Sequence, residues 1–207
     1  FDPDPLGHYL AYVTFFNAYA RRELYTDEFW HRVSGTDPAE VYRVFTESHD
    51  AGGEDVERWM YGDFSCYLPN DLLPKVDIAS MAHSLECRAP LLDHEFLEFT
   101  ARIPLELKIR QGEKKYIFRK AIQKILPEAI LHRPKSGFGI PIHEWFSGPM
   151  SETAQRYLLD PRALARGNFR REYLERLLEW HEHGHSQGYL LWLLICLEEW
   201  RRQYIDP

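Results

Sequence analysis

The chain has 207 residues, 44% apolar and 28% charged, with a formal net charge of -7. That composition suits a soluble globular protein with a substantial core and excludes a disordered chain; the acidic balance argues against a nucleic-acid binder, which would carry a basic face. Three cysteines, odd in number and with no CxxC pair, indicate neither a disulfide framework nor a zinc ribbon and suit a reducing compartment.

The first residue is not Met, and "FDPDPLGHYL" lacks a charged n-region followed by an apolar run, so no signal peptide is read and the chain is expected to be part of a longer protein. From Leu6 to Leu24 the residues Leu10, Val13, Phe16, Ala20 and Leu24 recur at helical spacing. In "DPAEVYRVF", Asp37 offers an N-cap, Pro38 a first helical position and Glu40 a capping-box partner, with Gly52 and Gly53 ending that helix. "EDVERWMYGDF" starts another helix. After "YLPN", the stretch from Asp71 to Leu85 carries Leu72, Val76, Ala79 and Ala82 at helical spacing. Asp93 caps "HEFLEFTARI", which Pro104 stops. "LELKIR" reads as a short extended piece turned by Gly112. Ile117, Ala121 and Ile125 then align along a helix ended by Pro127.

Beyond this, "GPMSETAQRYLL" and "DPRALARG" read as short helices. A last helix pair is split around Gly184, and its second member contains "YLLWLLICL", too short to span a bilayer and apolar enough to be buried. No series of alternating β-branched runs is found. The expectation is a single, mainly α-helical domain over residues 1–207, cytoplasmic, without membrane association.

Four features could carry chemistry. Lys108, Arg110, Lys114, Lys115, Arg119, Lys120, Lys124, Arg133 and Lys135 crowd one segment, opposed only by Glu113 and Glu128. Such a patch suits a polyanion, phosphate above all, or is simply a solvated helix face. In the loop "HRPKSGFGIP", Lys135 is a mobile point charge and the Ser136–Gly137 backbone could present N–H groups to an anion; the bland alternative is a structural turn. Asp77, Glu86 and Arg88 are charges within an apolar stretch, which suggests a Glu86–Arg88 or Asp77–Arg88 network. His181, His183 and His185 invite a metal reading, but residues two apart on a helix diverge and no HExxH is present; no metal ligand is assigned.

"YLPNDLLPKVDIASMAHSLECRAPLLDHEFLEF", "GEKKYIFRKAI" and "RPKSGFGIP" closely resemble the C-terminal part of the synthetase domain of glutamine-hydrolysing asparagine synthetases. The likeness runs from about Tyr67 to Trp145 and resumes near "LLWLLICLEEW". The resemblance implies the helical C-terminal portion of an adenine-nucleotide α-hydrolase-like (PP-loop ATPase) synthetase domain. It implies ATP and Mg2+ as requirements of the full-length enzyme, aspartate and glutamine as substrates, and the rest of the synthetase domain with a glutaminase domain as partners. A homodimer is a further expectation.

In that family aspartate attacks ATP to give a β-aspartyl-adenylate and pyrophosphate, and ammonia from glutamine then displaces AMP. By resemblance Lys135 is the catalytic lysine that meets the phosphates, with Lys115, Arg119, Ser136 and Gly137 as phosphate-binding candidates and Asp77, Glu86 and Arg88 in support.

Departures from the family pattern are equally clear. The pyrophosphate loop S-G-G-x-D-S is missing, since "AGGEDV" lacks both serines; the segment S-G-E-G-x-D-E and the glutaminase cysteine are missing too. Residues 1–207 alone are therefore expected to be inactive. Two alternatives stay open: a helical interaction module, and a related amide-forming ligase, β-lactam-synthetase-like or peptide-cyclising, acting on another carboxylate.

Overall fold

The computed structural model describes residues 5–48, 55–134 and 139–206. Gly52 and Gly53, like Lys135, Ser136 and Gly137, lie outside them. The fold is mainly helical, as expected, with one two-stranded ribbon among the described residues. Two compact units result, Phe1–Val41 with Gly139–Pro207, and Tyr42–Phe138.

The expected helix from Leu6 to Leu24 is two helices, α1 (Pro5–Val13) and α2 (Ala18–Leu24). Thr14 turns its hydroxyl back onto the Leu10 carbonyl, and Asn17 caps α2 by accepting the Ala20 N–H at 2.8 Å. Apolar spacing stays in phase across the break, which is why it is invisible to periodicity. Thr26 caps α3 (Asp27–Val33). Asp37 Oδ1 accepts the Ala39 N–H at 2.9 Å where α4 (Ala39–Ser48) begins.

The helix α5 (Asp55–Gly62) runs into a π-helical segment, Asp63–Leu72, and then α6 (Leu73–Met81). "YLPN" is thus helical rather than a break. Pro69 stands inside the π segment, where its missing N–H and its ring conflict with an i→i−4 ladder; the wider i→i−5 register, seen in Leu73 N–H to the Leu68 carbonyl, accommodates it. Asn70 Nδ2 donates to the Cys66 carbonyl at 2.7 Å. Helix α6 stops short of Leu85, and Ser84 takes a left-handed φ of 58° in the turn that follows.

Asp93 accepts the Glu95 and Phe96 N–H groups at the head of α7 (His94–Ala101), as expected. "LELKIR" divides between a single turn, α8 (Leu105–Lys108), and β1 (Ile109–Arg110), which pairs antiparallel with β2 (Glu113–Lys114). The hairpin turns on Gln111 and Gly112, both at positive φ, 51° and 81°, as a primed two-residue turn requires. Then come α9 (Tyr116–Ile122) and the short α10 (Glu128–Leu131).

The remaining helices are α11 (Ile142–Phe146), α12 (Ser151–Leu158), α13 (Pro161–Ala165), α14 (Arg171–Glu182) and α15 (Gly188–Tyr204). Leu191, Leu194, Ile195 and Glu198 form the buried face of α15 at i, i+3, i+4 and i+7. Against it pack Ile142 and Phe146 of α11, Ala154 and Leu158 of α12, and Leu174, Leu177 and Leu178 of α14, with Leu24 of α2 completing the core. The backbone ties the N-terminal segment in: Thr26 N–H donates to the Asn168 carbonyl and Arg170 N–H to the Leu24 carbonyl.

One charge sits in this core. Glu198, only 5% exposed, accepts from Arg166 and from Arg202 Nε at 2.8 Å; Arg166 also reaches Asp206, and Arg202 reaches Asp160 at 3.0 Å. Two guanidinium groups facing three carboxylates satisfy a buried charge that would otherwise be expelled.

Candidate functional site

The unit Tyr42–Phe138 holds most of the chemistry-bearing segments. An open groove of about 690 Å3 is lined by Pro69 of the π segment, by Leu73, Val76, Asp77 and Ile78 of α6, and by Cys87 and Arg88. Asp77 and Arg88 therefore meet at one groove. Glu86 ion-pairs with Arg88, as one of the two expected networks requires, but both side chains are exposed rather than buried. Asp77 is exposed as well. Water already solvates these charges, so their pairing is weaker than burial would make it.

The cationic candidates gather on the β1–β2 ribbon and α9, and none of them lines the groove. Lys115 is the N-cap of α9 in the left-handed region, φ 58° and ψ 35°, unusual for a residue with a β-carbon. Its carbonyl accepts the Arg119 N–H at 2.9 Å, so the two residues stand one helical turn apart. Lys115 is exposed and has no carboxylate partner among the described residues. Arg119 is half-buried and pairs with Glu113 at 3.4 Å.

Two partners escaped the sequence. Lys108 is drawn off to Glu57 at 3.4 Å, a contact spanning 51 positions that no local pattern announces. Tyr116 is a platform for two cations: the Arg110 guanidinium stacks at 5.0 Å from its ring centre while donating to its hydroxyl, and Lys120 Nζ lies 5.7 Å away. The Tyr116–Lys120 spacing of four was the available signal. Glu128 turns to His132 at 3.1 Å rather than to a lysine of this segment.

In the same unit, burial and then the Asp63 carboxylate push the Tyr42 hydroxyl well above its usual range, and the same two causes raise the Cys66 thiol. Both stay protonated at neutral pH, so neither is an activated nucleophile. The histidines of "HEHGH" separate: His181 is buried, and His183 is exposed with Nδ1 on the Glu179 carbonyl.

A family model described as asparagine synthase matches residues 5–202. The chain belongs to the asparagine synthase family. Among named relatives, asparagine synthetase [glutamine-hydrolyzing] 1 of Bacillus subtilis is 36% identical over 137 residues, 66% of this chain and 21% of the relative. A putative asparagine synthetase [glutamine-hydrolyzing] of Mycobacterium tuberculosis is 34% identical over 165 residues, 79% of this chain and 25% of the relative. The human asparagine synthetase [glutamine-hydrolyzing] is 28% identical over 121 residues, 49% of this chain and 22% of the relative. The chain thus spans about a fifth to a quarter of the length of these relatives. No solved structure matches it. Among the described residues no helix is long and apolar enough to cross a membrane.

Proposed function

We propose that the chain is the C-terminal portion of the synthetase domain, of PP-loop ATPase type, in a ligase that makes asparagine from aspartate with ammonia from glutamine. The observation that carries this is the family match over residues 5–202, with three motifs in order within it. In this reading ATP supplies the adenylyl group that activates the aspartate carboxylate. The rest of the synthetase domain and a glutaminase domain complete the enzyme.

The donor set fits a polyphosphate. Lys115 caps α9, Arg119 and Lys120 lie in its last turn and Lys114 is on β2, and together they offer several cations to a chain of phosphates. On the same reading Lys135, Ser136 and Gly137, which lie outside the described residues, contribute an ammonium and backbone N–H groups to the phosphates. Among the described residues no group of three or more His, Cys, Asp or Glu is placed to hold a metal ion, so no step is assigned to Mg2+ on these residues.

Within the proposed reaction Lys135 stabilises the charge that builds on the bridging and β-phosphate oxygens as the α–β bond breaks. Such a contact is stronger in the transition state than in the ground state and shows in the rate more than in ATP affinity. Lys115 and Arg119 act as a diffuse, salt-screened field that holds the phosphates.

Single-turnover pyrophosphate release by the full-length protein tests this. Lys135→Ala should lose about 10²–10³ in rate at saturating ATP, Lys115→Ala much less, and Lys135→Arg should rescue poorly because a planar fork approaches phosphate differently from an ammonium. A near wild-type rate for Lys135→Ala makes "RPKSGFGIP" a structural turn. Release that needs a carboxylate other than aspartate would move the chain to the related ligases.

A further inference from the structure

The turn between α14 and α15 holds two histidines that the proposed chemistry does not use. His181 is 3% exposed, and both its ring nitrogens are committed. Nδ1 receives the Gln187 backbone N–H at 3.1 Å; an N–H can only donate, so Nδ1 bears no proton. Nε2 stands 3.0 Å from the His143 carbonyl oxygen and 3.2 Å from Ser147 Oγ. A carbonyl can only accept, so Nε2 carries the ring hydrogen. His143, on α11, repeats the arrangement one residue further on: its Nδ1 receives the Gly188 N–H at 3.2 Å.

Gln187 and Gly188 are the N-cap and first residue of α15, and the Gln187 side chain makes no capping bond. The first N–H groups of a helix lack intrahelical acceptors, and Ser, Thr, Asp or Asn usually supplies one. Here two imidazoles from two other helices do so. The fit is close, since a β-carbon at position 188 would stand 2.7 Å from His143 Nδ1.

We propose that His143 and His181 form a proton-operated clasp on the N-terminus of α15, which joins α11, α14 and α15 while both rings are neutral and releases them on acidification. A proton on either Nδ1 sets donor against donor. It also places a cation at the positive end of a 17-residue helix, where the dipole opposes it.

The charged and titratable groups on the surrounding elements do not compensate. Nearest along the chain are Glu144 on α11, Glu179 and Glu182 on α14, His183 and His185 in the turn, and Tyr189 on α15. Glu182 is engaged by Gln155 Nε2 at 3.0 Å, and Tyr189 meets His143 edge-on with ring centres 5.6 Å apart. Among the described residues neither imidazole has a carboxylate partner, whereas His94 and His132 do.

Each Nδ1 lone pair can take either a proton or an α15 N–H, never both. The clasp is therefore at full strength with both rings neutral and weakens on acidification.

Hydrogen exchange read by mass spectrometry on the full natural chain, at pH 7.5 and 5.5 and corrected for intrinsic rates, tests the clasp. Peptides covering residues 186–191 should lose about tenfold to a hundredfold in protection, while peptides covering residues 198–204, at the far end of the same helix, hold theirs. His143→Asn and His181→Asn keep an acceptor that cannot titrate and should flatten the response. Equal loss at both ends of α15, or an undiminished response in both variants, overturns the proposal. If the variants do not fold, the comparison of the two ends in the natural chain decides it.

Discussion

The two compact units treat their apolar residues in opposite ways. In the unit formed by Phe1–Val41 and Gly139–Pro207, twelve residues from α2, α11, α12, α14 and α15 pack into one buried cluster. In Tyr42–Phe138 the buried residues among those described are Thr46, Gly62 and Cys66, while Val76, Ile78, Met81, Leu85, Leu91, Ile125 and Ile130 are exposed. Exposed apolar residues scattered singly need no explanation, but a run of them along α6 and its exit does. This second unit also carries most of the family's motifs. A region whose sequence is specified but whose core is thin takes its stability from what covers it, and on the proposed reading the remainder of the synthetase domain does so.

Shortening one apolar side chain in each unit should show the contrast most strongly. Phe146 is 1% exposed on α11 and Ile78 is 69% exposed on α6. Phe146→Ala should cost about 3–5 kcal/mol through lost burial and the cavity left behind. Ile78→Ser in the same 207-residue chain should stay within about 0.5 kcal/mol. Urea unfolding followed by tryptophan fluorescence measures both. A large cost for Ile78→Ser would mean that α6 is covered within this chain after all, and in the full-length enzyme such a cost is what the proposed covering requires.

A second test probes the charge inside the well-packed unit. Glu198→Ala leaves Arg166 and Arg202 without their central acceptor. Removing one member of a buried ion pair typically costs 3–5 kcal/mol, but Arg166 keeps Asp206 and Arg202 keeps Asp160, so we expect about 3 kcal/mol. Denaturant midpoints of the wild type and Glu198→Ala measure it, and the double change Glu198→Ala with Arg166→Met should recover part of the loss. A cost below about 1 kcal/mol would show the network to be solvated.

What was legible in the sequence follows the range of the interaction that decides each feature. Asp93 and Asp37 cap their helices as read, because an Asx side chain settles the matter within three residues. The break at Thr14–Asn17 and the π register around Pro69 were not legible, since in both places apolar spacing runs on while hydrogen bonding changes. Gly112 as a turn residue was legible, but Gln111 at positive φ lacks the Asn-Gly or Asp-Gly signature that announces such a hairpin. At the candidate site the crowding of cations could be counted along the chain. Their partition could not, because Lys108 is claimed by Glu57 and Arg110 by Tyr116 through folding. Likewise "HEHGH" drew attention to His181 for metal binding, whereas its partners His143 and Ser147 lie more than thirty positions away.

The smallest expected effect separates the two kinds of ion pair directly. Glu86 and Arg88 pair within two positions of each other at the groove, and their side chains are 65% and 87% exposed. Water competes for both groups, two long side chains lose rotamer freedom to meet, and salt screens what remains, so the pair contributes about 0.2–1 kcal/mol at most. Glu86→Ala should therefore shift the unfolding midpoint of the 207-residue chain barely at all, and less still in molar salt. The Glu198 network, shielded from ions, should keep most of its contribution there. Measuring both variants at about 0.05 M and 1 M salt gives the contrast in one series. A strong, salt-resistant cost for Glu86→Ala would place this pair under cover in the folded chain, and the thinness attributed to the unit Tyr42–Phe138 would then fail at the groove itself.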